Sequence, residues 1–219
     1  MGIWYDSSSF DGYTEIKQYV TITETTPTHN PISLEEAKNY LKVDYATDDD
    51  LIDGLIFAAR KQIENELGGL LIVKRTVTRK QSGGVKTIDI MREPLVSISS
   101  ITYYEDFDSV GEVIPSTDYR IADGCIFHRN GYWKQGRDAD GYRIVYTAGL
   151  VDDTGQTAEN SPHTLRQAML RIIAYLYENR EEFAKQINEG GLSVNYDIGM
   201  KNAEYHALLI PYHTGKAVF

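Results

Sequence analysis

An α+β fold is what the hydrophobic period of this 219-residue chain predicts: a helical bundle with a small antiparallel β-sandwich or barrel module inserted into it, and extended arms at both ends. Three observations carry the prediction. From Ser33 to Gly69 apolar residues recur every three or four positions. From Leu70 to Thr147 the period drops to two, with turn residues at short intervals. From Ser161 the helical period returns. Helices with one apolar stripe each must bury it against a partner, so the two helical stretches are expected to pack together around the β-region between them. The expected division is 1–30 as an N-terminal arm with a short strand, 31–69 plus 161–187 as the helical core, 70–150 as the inserted β-module, and 188–219 as a C-terminal loop, short helix and docking tail.

Residues 1–17 show no period and read as an extended arm, while Gln18 to Thr25 alternates as a short strand before Thr26-Pro27 and Asn30-Pro31 break it. Ser33 followed by Glu36 forms a capping box, with Ile32 and Ala37 placed to staple the helix entry. Leu34, Ala37 and Leu41 continue that helix to about Val43. The next begins at Thr47 to Asp50 and carries Leu51, Leu55, Ile56, Ala59, Ile63 and Leu67 along one face, ending at Gly68-Gly69. Leu71 to Lys80 reads as a strand and Ser82-Gly83-Gly84 as a hairpin turn into Thr87 to Met91. Further strands are expected at 96–104, at 118–122 leading into the turn residues Asp123-Gly124, at 125–128 and at 142–147, with exposed loops at 106–116 and 130–141. Ser161-Pro162 starts the long helix, serine as cap and proline in the first turn, with Leu165, Met169, Ile172, Ile173 and Leu176 as its stripe. Residues 188–200 read as a Gly-rich hairpin or loop, and Ala203 to Ile210 as a short helix before Pro211.

Composition narrows the function. The chain carries 22 basic and 32 acidic residues, a net charge of −10. Such a surface repels phosphate, which disfavours sequence-independent wrapping of nucleic acid. Cys125 stands alone, so neither an internal disulfide framework nor a cysteine zinc cluster is available, as suits a reducing compartment. No apolar run approaches a membrane span, and MGIWYDSSSF lacks the form of a signal peptide. Sixteen tyrosines suit either β-strands or surfaces buried only on contact with a partner.

A search for chemistry finds no catalytic, cofactor or metal set. Asp48, Asp49, Asp50 and Asp53 are spaced as hard-cation ligands can be, yet they sit where a helix start attracts negative charge, and they read as capping. The histidines His29, His128, His163, His206 and His213 have no zinc-site spacing. Nucleophile elbows and Walker loops are absent. Glu178, Glu181 and Glu182 beside Arg180 and Lys185 read as a solvated charged face, and Cys125 as a buried structural thiol. The stretch from His128 to Lys134 interleaves basic and aromatic residues, but Asp138, Asp140 and the acidic background favour a protein contact over nucleic-acid stacking.

The order of motifs resembles the head–tail connector, or adaptor, proteins of long-tailed bacteriophages. PISLEEAKNYLKVDYATDDDLIDGLIFAARKQIENELGGLLI is similar to that family's opening, with Pro31, Ser33, Leu34, Glu36, Ala37, Lys38, Leu41, Lys42, Val43, Asp44, Asp50, Leu51, Ile52, Leu55, Ile56 and Ala59 on its motif positions. PLVSISSITYY, YRIVYTAGL, SPHTLRQAMLRIIAYLYENRE and LLIPYHTG resemble its later motifs in the same order. Departures are the arm 1–30 and His213, where the family pattern has arginine.

The resemblance implies a structural virion protein made in the host cytoplasm and located in the neck. There it would form a homo-oligomeric ring of about twelve copies between the portal and tail-side stopper, terminator or tail proteins, with DNA crossing the lumen without sequence readout. No catalysis, cofactor or membrane is implied. Another tail-completion or neck scaffold protein is the alternative, and a small-ligand-binding or enzymatic β-module a further one. Tyr205, Leu208, Leu209, Ile210, Tyr212, Val218 and Phe219 are the candidate portal-docking residues. Deleting 203–219 is expected to remove portal binding and leave the fold intact. Tyr40, Tyr45, Tyr175 and Tyr177 are candidates for the subunit interface. The β-module loops 105–117 and 129–141 are expected to face the neighbour or the tail-side protein, with Arg129, Tyr132 and Trp133 as the candidate contacts.

Overall fold

A computed structural model describes residues 3–4, 19–137, 139–154, 161–179 and 203–212. The fold is α+β, and the chain divides into two units: Met1–Thr26 with Lys74–Gly149, and Pro27–Val73 with Leu150–Phe219.

The second unit is helical. In α1 (Leu34–Leu41) the Ser33 Oγ accepts the Glu36 N–H at 3.1 Å, half of the capping box. The Glu36 carboxylate turns instead to Arg166, 2.5 Å away on α3 (His163–Glu178). Lys42 closes α1 in the left-handed region, φ 58°. In α2 (Asp49–Glu66) the buried stripe is Ile52, Ile56, Ala59 and Ile63, spaced four, three and four. Leu51, one residue before Ile52 and so rotated around the helix from that stripe, is exposed, and Leu55 is half-buried. Gly68 and Gly69 follow with positive φ, as the closing glycines require. Leu165, Met169, Ile172, Ile173 and Leu176 of α3 are all buried in the same cluster. The helix starts one residue later than expected, with Pro162 rather than Ser161 at the cap position. A short α4 (Ala203–Leu209) and a 3₁₀ turn (Ile210–Tyr212) complete the unit.

Among the described residues the first unit holds two antiparallel sheets, and no barrel closes. Six strands run in the order β1 (Ile3–Trp4), β2 (Tyr19–Glu24), β3 (Arg75–Gln81), β9 (Tyr142–Ala148), β5 (Leu95–Tyr103), β6 (Glu112–Val113). Three more form the order β4 (Thr87–Asp89), β8 (Cys125–His128), β7 (Tyr119–Ala122). Val77, Ile101, Ile144 and Tyr146 from the large sheet and Ile88 and Ile126 from the small one are buried. Strand β2 is no part of a free arm. It pairs with β3 from Val20↔Gln81 to Glu24↔Val77, and Glu24 binds Arg75 at 3.2 Å and Arg92 at 2.5 Å.

Two turn assignments come out differently from each other. Asp123-Gly124, both at positive φ, joins β7 to β8 in a two-residue hairpin, with Ala122 paired to Cys125. Ser82-Gly83-Gly84 does not join a hairpin, because β3 and β4 belong to different sheets. Those glycines admit the loop 131–136 instead. A Cβ on Gly83 would lie 2.0 Å from the Lys134 carbonyl oxygen, and the Gly84 N–H donates to the Trp133 and Lys134 carbonyls. Strands β1 and β6 are too short to leave a sequence period, and β5 carries two register shifts against β9.

Candidate functional site

The described residues hold no group of three or more His, Cys, Asp or Glu side chains arranged for a metal. Cys125 is half-buried rather than buried, because it sits at the start of β8 beside the turn, and its Sγ donates to Asp89 Oδ1 at 3.0 Å. The acidic helix start is used within the fold. Asp49 pairs with Lys38 at 2.5 Å, and Asp48, at the cap position, makes no side-chain cap bond. Its carboxylate accepts the Tyr177 hydroxyl at 2.5 Å and the Tyr45 hydroxyl at 3.4 Å, and the two phenols lie 3.0 Å apart. Two candidate interface tyrosines from distant parts of the sequence thus meet on one carboxylate. Tyr177 and Tyr175 are half-buried, whereas Tyr40 and Tyr45 are 43% and 49% exposed. No helix of the described residues is long and apolar enough to cross a membrane.

The C-terminal candidates separate into two groups. Tyr205 and Leu209 are buried in the core of the helical unit. The Tyr205 hydroxyl donates to Glu66 Oε2 at 3.1 Å, and His206 Nδ1 lies 2.5 Å from Glu66 Oε1 with its ring stacked on Tyr205. Tyr212, half-buried, shares a 2.8 Å hydrogen bond between its hydroxyl and Thr164 Oγ1. Leu208 is half-buried and Ile210 is 66% exposed. Val218, Phe219 and the expected 188–200 hairpin lie outside the described residues. Deleting 203–219 would remove two side chains of the core, so an intact fold is no longer the expected result of that truncation.

The loop candidates separate as well. Arg129 and Tyr132 are exposed. Trp133 is fully buried: its indole N–H donates to the Ile126 carbonyl at 3.3 Å and its ring meets Tyr142 edge-on at 5.3 Å. A ring held between the two sheets is not available to a partner, and Trp133 anchors the loop that presents its neighbours. A basic–aromatic run alone does not reveal which ring points inward.

The largest apolar exposure falls within the loop 105–117 expected to face the neighbour or the tail-side protein, on residues not singled out there. In the β5–β6 loop Phe107 is 78% and Val110 94% exposed, and Val113 follows at 63%. Burial raises the pKa of the Tyr103 phenol at the base of this loop, and the carboxylates of Glu105, Glu112 and Asp106 raise it further. The acidic crowding is therefore felt inside the unit. The available signal was two bulky apolar residues set in an otherwise acidic loop.

Among known proteins, the head completion protein family is matched over residues 31–211. No curated protein matches. The fold is similar to a chain in the neck of an empty gene transfer agent particle computed with C6 symmetry, at 15% identity and TM-score 0.60, covering 72% of this chain and 84% of that one. It is similar to a chain in the virion of a native gene transfer agent particle, at 15% identity and TM-score 0.65, and to one in the native particle's neck computed with C12 symmetry, at 16% and 0.62; each covers 90% of this chain and 97% of the other. At these identities the likeness is one of fold.

Proposed function

We infer what this chain does from the family it belongs to, the head completion proteins: it is a structural protein of the virion neck, and copies of it close a ring between the portal and the tail-side proteins. The observation that carries the reading is the family match, which runs from Pro31 to Pro211 and so takes in residues of both units. The similar chains from gene transfer agent necks support a ring, because those particles are described with C6 and C12 symmetry. About twelve copies is the number we adopt, closed by a contact between two unlike patches on each copy.

Ile210, with Leu208 and the segment beyond it, is the surface we assign to the portal. Tyr205 and Leu209 hold that surface to the helical unit rather than touching the partner. Tyr40 and Tyr45 remain the subunit contacts, and Tyr177 positions Tyr45 through the shared Asp48. In this reading DNA crosses a lumen whose acidic surface repels the phosphate backbone, and no catalytic step is involved.

The test is mass by light scattering, for the purified chain alone and mixed with its portal. A species near twelve copies in either sample is expected. A monomer that ignores the portal overturns the ring and leaves the neck assignment to another tail-completion role.

A further inference from the structure

Two parts of the β unit expose opposite chemistry. The β5–β6 tip presents Phe107 and Val110 among Glu105, Asp106, Asp108 and Glu112, and no lysine or arginine occurs between Glu93 and Tyr119. The tip is a built turn. The Asp108 N–H donates to Asp106 Oδ1 at 3.0 Å, the Asp106 N–H to Ser109 Oγ at 3.1 Å, and Ser109 Oγ to the Asp106 carbonyl at 2.8 Å. Gly111 packs its backbone against β5, where a Cβ would fall 2.6 Å from Thr102 and 2.7 Å from Tyr104. The second part surrounds β7 and β8. Arg120 lies over the Phe127 ring at 4.9 Å across the paired strands, Ile121 and Tyr132 are 47% and 58% exposed, and Arg129 and Lys134 are exposed. From Arg120 to Lys134 the three basic residues outnumber the one acidic residue, Asp123, in a chain whose net charge is −10.

We propose that the acidic, apolar tip of one copy seats on the basic, aromatic face of the next, with Phe107 and Val110 against Phe127 and Tyr132 and the tip carboxylates facing Arg120, Arg129 and Lys134. The proposal rests on the ring reading above and supplies the two unlike patches that a closing head-to-tail contact needs. Charge complementarity selects a second copy as the occupant, because each chain carries both halves. Tip-to-tip pairing would bring together four carboxylates from each copy and is disfavoured.

Disulfide trapping in the full chain tests it, in a Cys125→Ser background. Chains carrying Val110→Cys and Tyr132→Cys are mixed and mildly oxidised, and the same pair is placed in one chain. The expected results are heterodimers in the mixture, roughly tenfold above those from Val110→Cys with Asn65→Cys at an unrelated exposed site, and a multimer ladder from the single chain. Reversing the tip (Glu105→Lys, Asp106→Lys, Asp108→Lys) should suppress the ladder. Reversing the face as well (Arg120→Glu, Arg129→Glu, Lys134→Glu) should restore it. Trapping no better than the Asn65 control, homodimers of the tip variant, trapping of the tip to the portal, or failure of the double reversal to restore the ladder each overturn the proposal. Light scattering of the same samples separates the two readings. Rings present in samples where trapping fails sink this joint alone, and the absence of any species above the monomer, with or without portal, sinks the ring and the joint together.

Discussion

Leu209 and Ile210 are adjacent in sequence and opposite in environment, so a substitution at each separates what holds the C-terminal helix from what it offers to a partner. Leu209 is fully buried in the helical core; Ile210 is 66% exposed. Leu209→Ala removes the end of an enclosed side chain and leaves a cavity in the helical core where α4 packs on α3, a change that costs about 3 kcal/mol. For a chain of this length each kcal/mol moves the melting temperature by about 2–4 °C, so a fall of roughly 6–12 °C is expected. Ile210→Asp alters an exposed position and should leave stability within about 0.5 kcal/mol of the wild type. Its effect belongs to the docking reading: affinity for the portal should fall at least about tenfold, or 1.4 kcal/mol. Thermal melts followed by circular dichroism, paired with portal binding at low temperature by calorimetry, read both quantities. If Leu209→Ala melts within about 2 °C of the wild type, the packing of α4 on the core is refuted. If Ile210→Asp binds the portal as the wild type does, the docking surface is elsewhere.

Three further substitutions probe the β unit and the helical unit separately. Gly83→Ala places a Cβ 2.0 Å from a main-chain oxygen that cannot rotate away, so a loss of about 1–3 kcal/mol and a red shift in Trp133 emission are expected in urea titrations; unchanged emission would contradict the close approach of loop 131–136. Glu24→Ala removes the Glu24 carboxylate from Arg75, 5% exposed, and should destabilise by about 3 kcal/mol, while Glu24→Ala combined with Arg75→Met should recover much of it; no recovery would mean that the pair is not what holds β2. Burial raises the Asp153 carboxyl, but hydrogen bonds from the Thr28 and His29 N–H groups, the Thr28 hydroxyl and the His29 ring outweigh it and hold the pKa below the ordinary value. Its stabilisation is thus complete above about pH 4 and lost as pH falls through the lowered native value. Urea midpoints measured against pH should fall more steeply below pH 4 for the wild type than for Asp153→Asn, and parallel curves would remove Asp153 from the acid response.

How far the fold was legible depended on whether a residue's partner was local. The Ser33 cap, the stop at Gly68-Gly69 and the Asp123-Gly124 hairpin rest on chemistry within a few residues, and each is found in place. Glu36 shows where local reasoning stops. Its backbone N–H obeys the capping box, while its carboxylate leaves for Arg166, 130 positions away, which no window of sequence contains. The β2 strand was legible as a strand, but its seat against β3 depends on Glu24 meeting Arg75 and Arg92. The glycines at 83 and 84 carry the composition of a hairpin turn because both a turn and a close crossing of backbone require a missing Cβ, and the composition does not distinguish the two.

The candidate surfaces were less legible, for a reason that tyrosine makes concrete. Tyr103, Tyr142 and Tyr146 are buried in strands, with burial pushing the Tyr146 phenol up to about 12 against the opposing pull of Arg79 and Arg92. Tyr40, Tyr45 and Tyr132 present much of the same ring to solvent. The amino acid is identical, and only the three-dimensional neighbours decide which copies remain for a partner. Trp133 and Tyr132, adjacent in one loop, resolve in opposite directions: Trp133 alone turns inward from a run otherwise exposed from Arg129 to Gln135. For a protein that acts by assembly, the informative residues are those the fold fails to bury although burial would favour them. Phe107 and Val110 satisfy that criterion most strongly among the described residues. Their acidic surroundings also limit what can cover them, because an apolar partner without positive charge would bury four carboxylates unpaired.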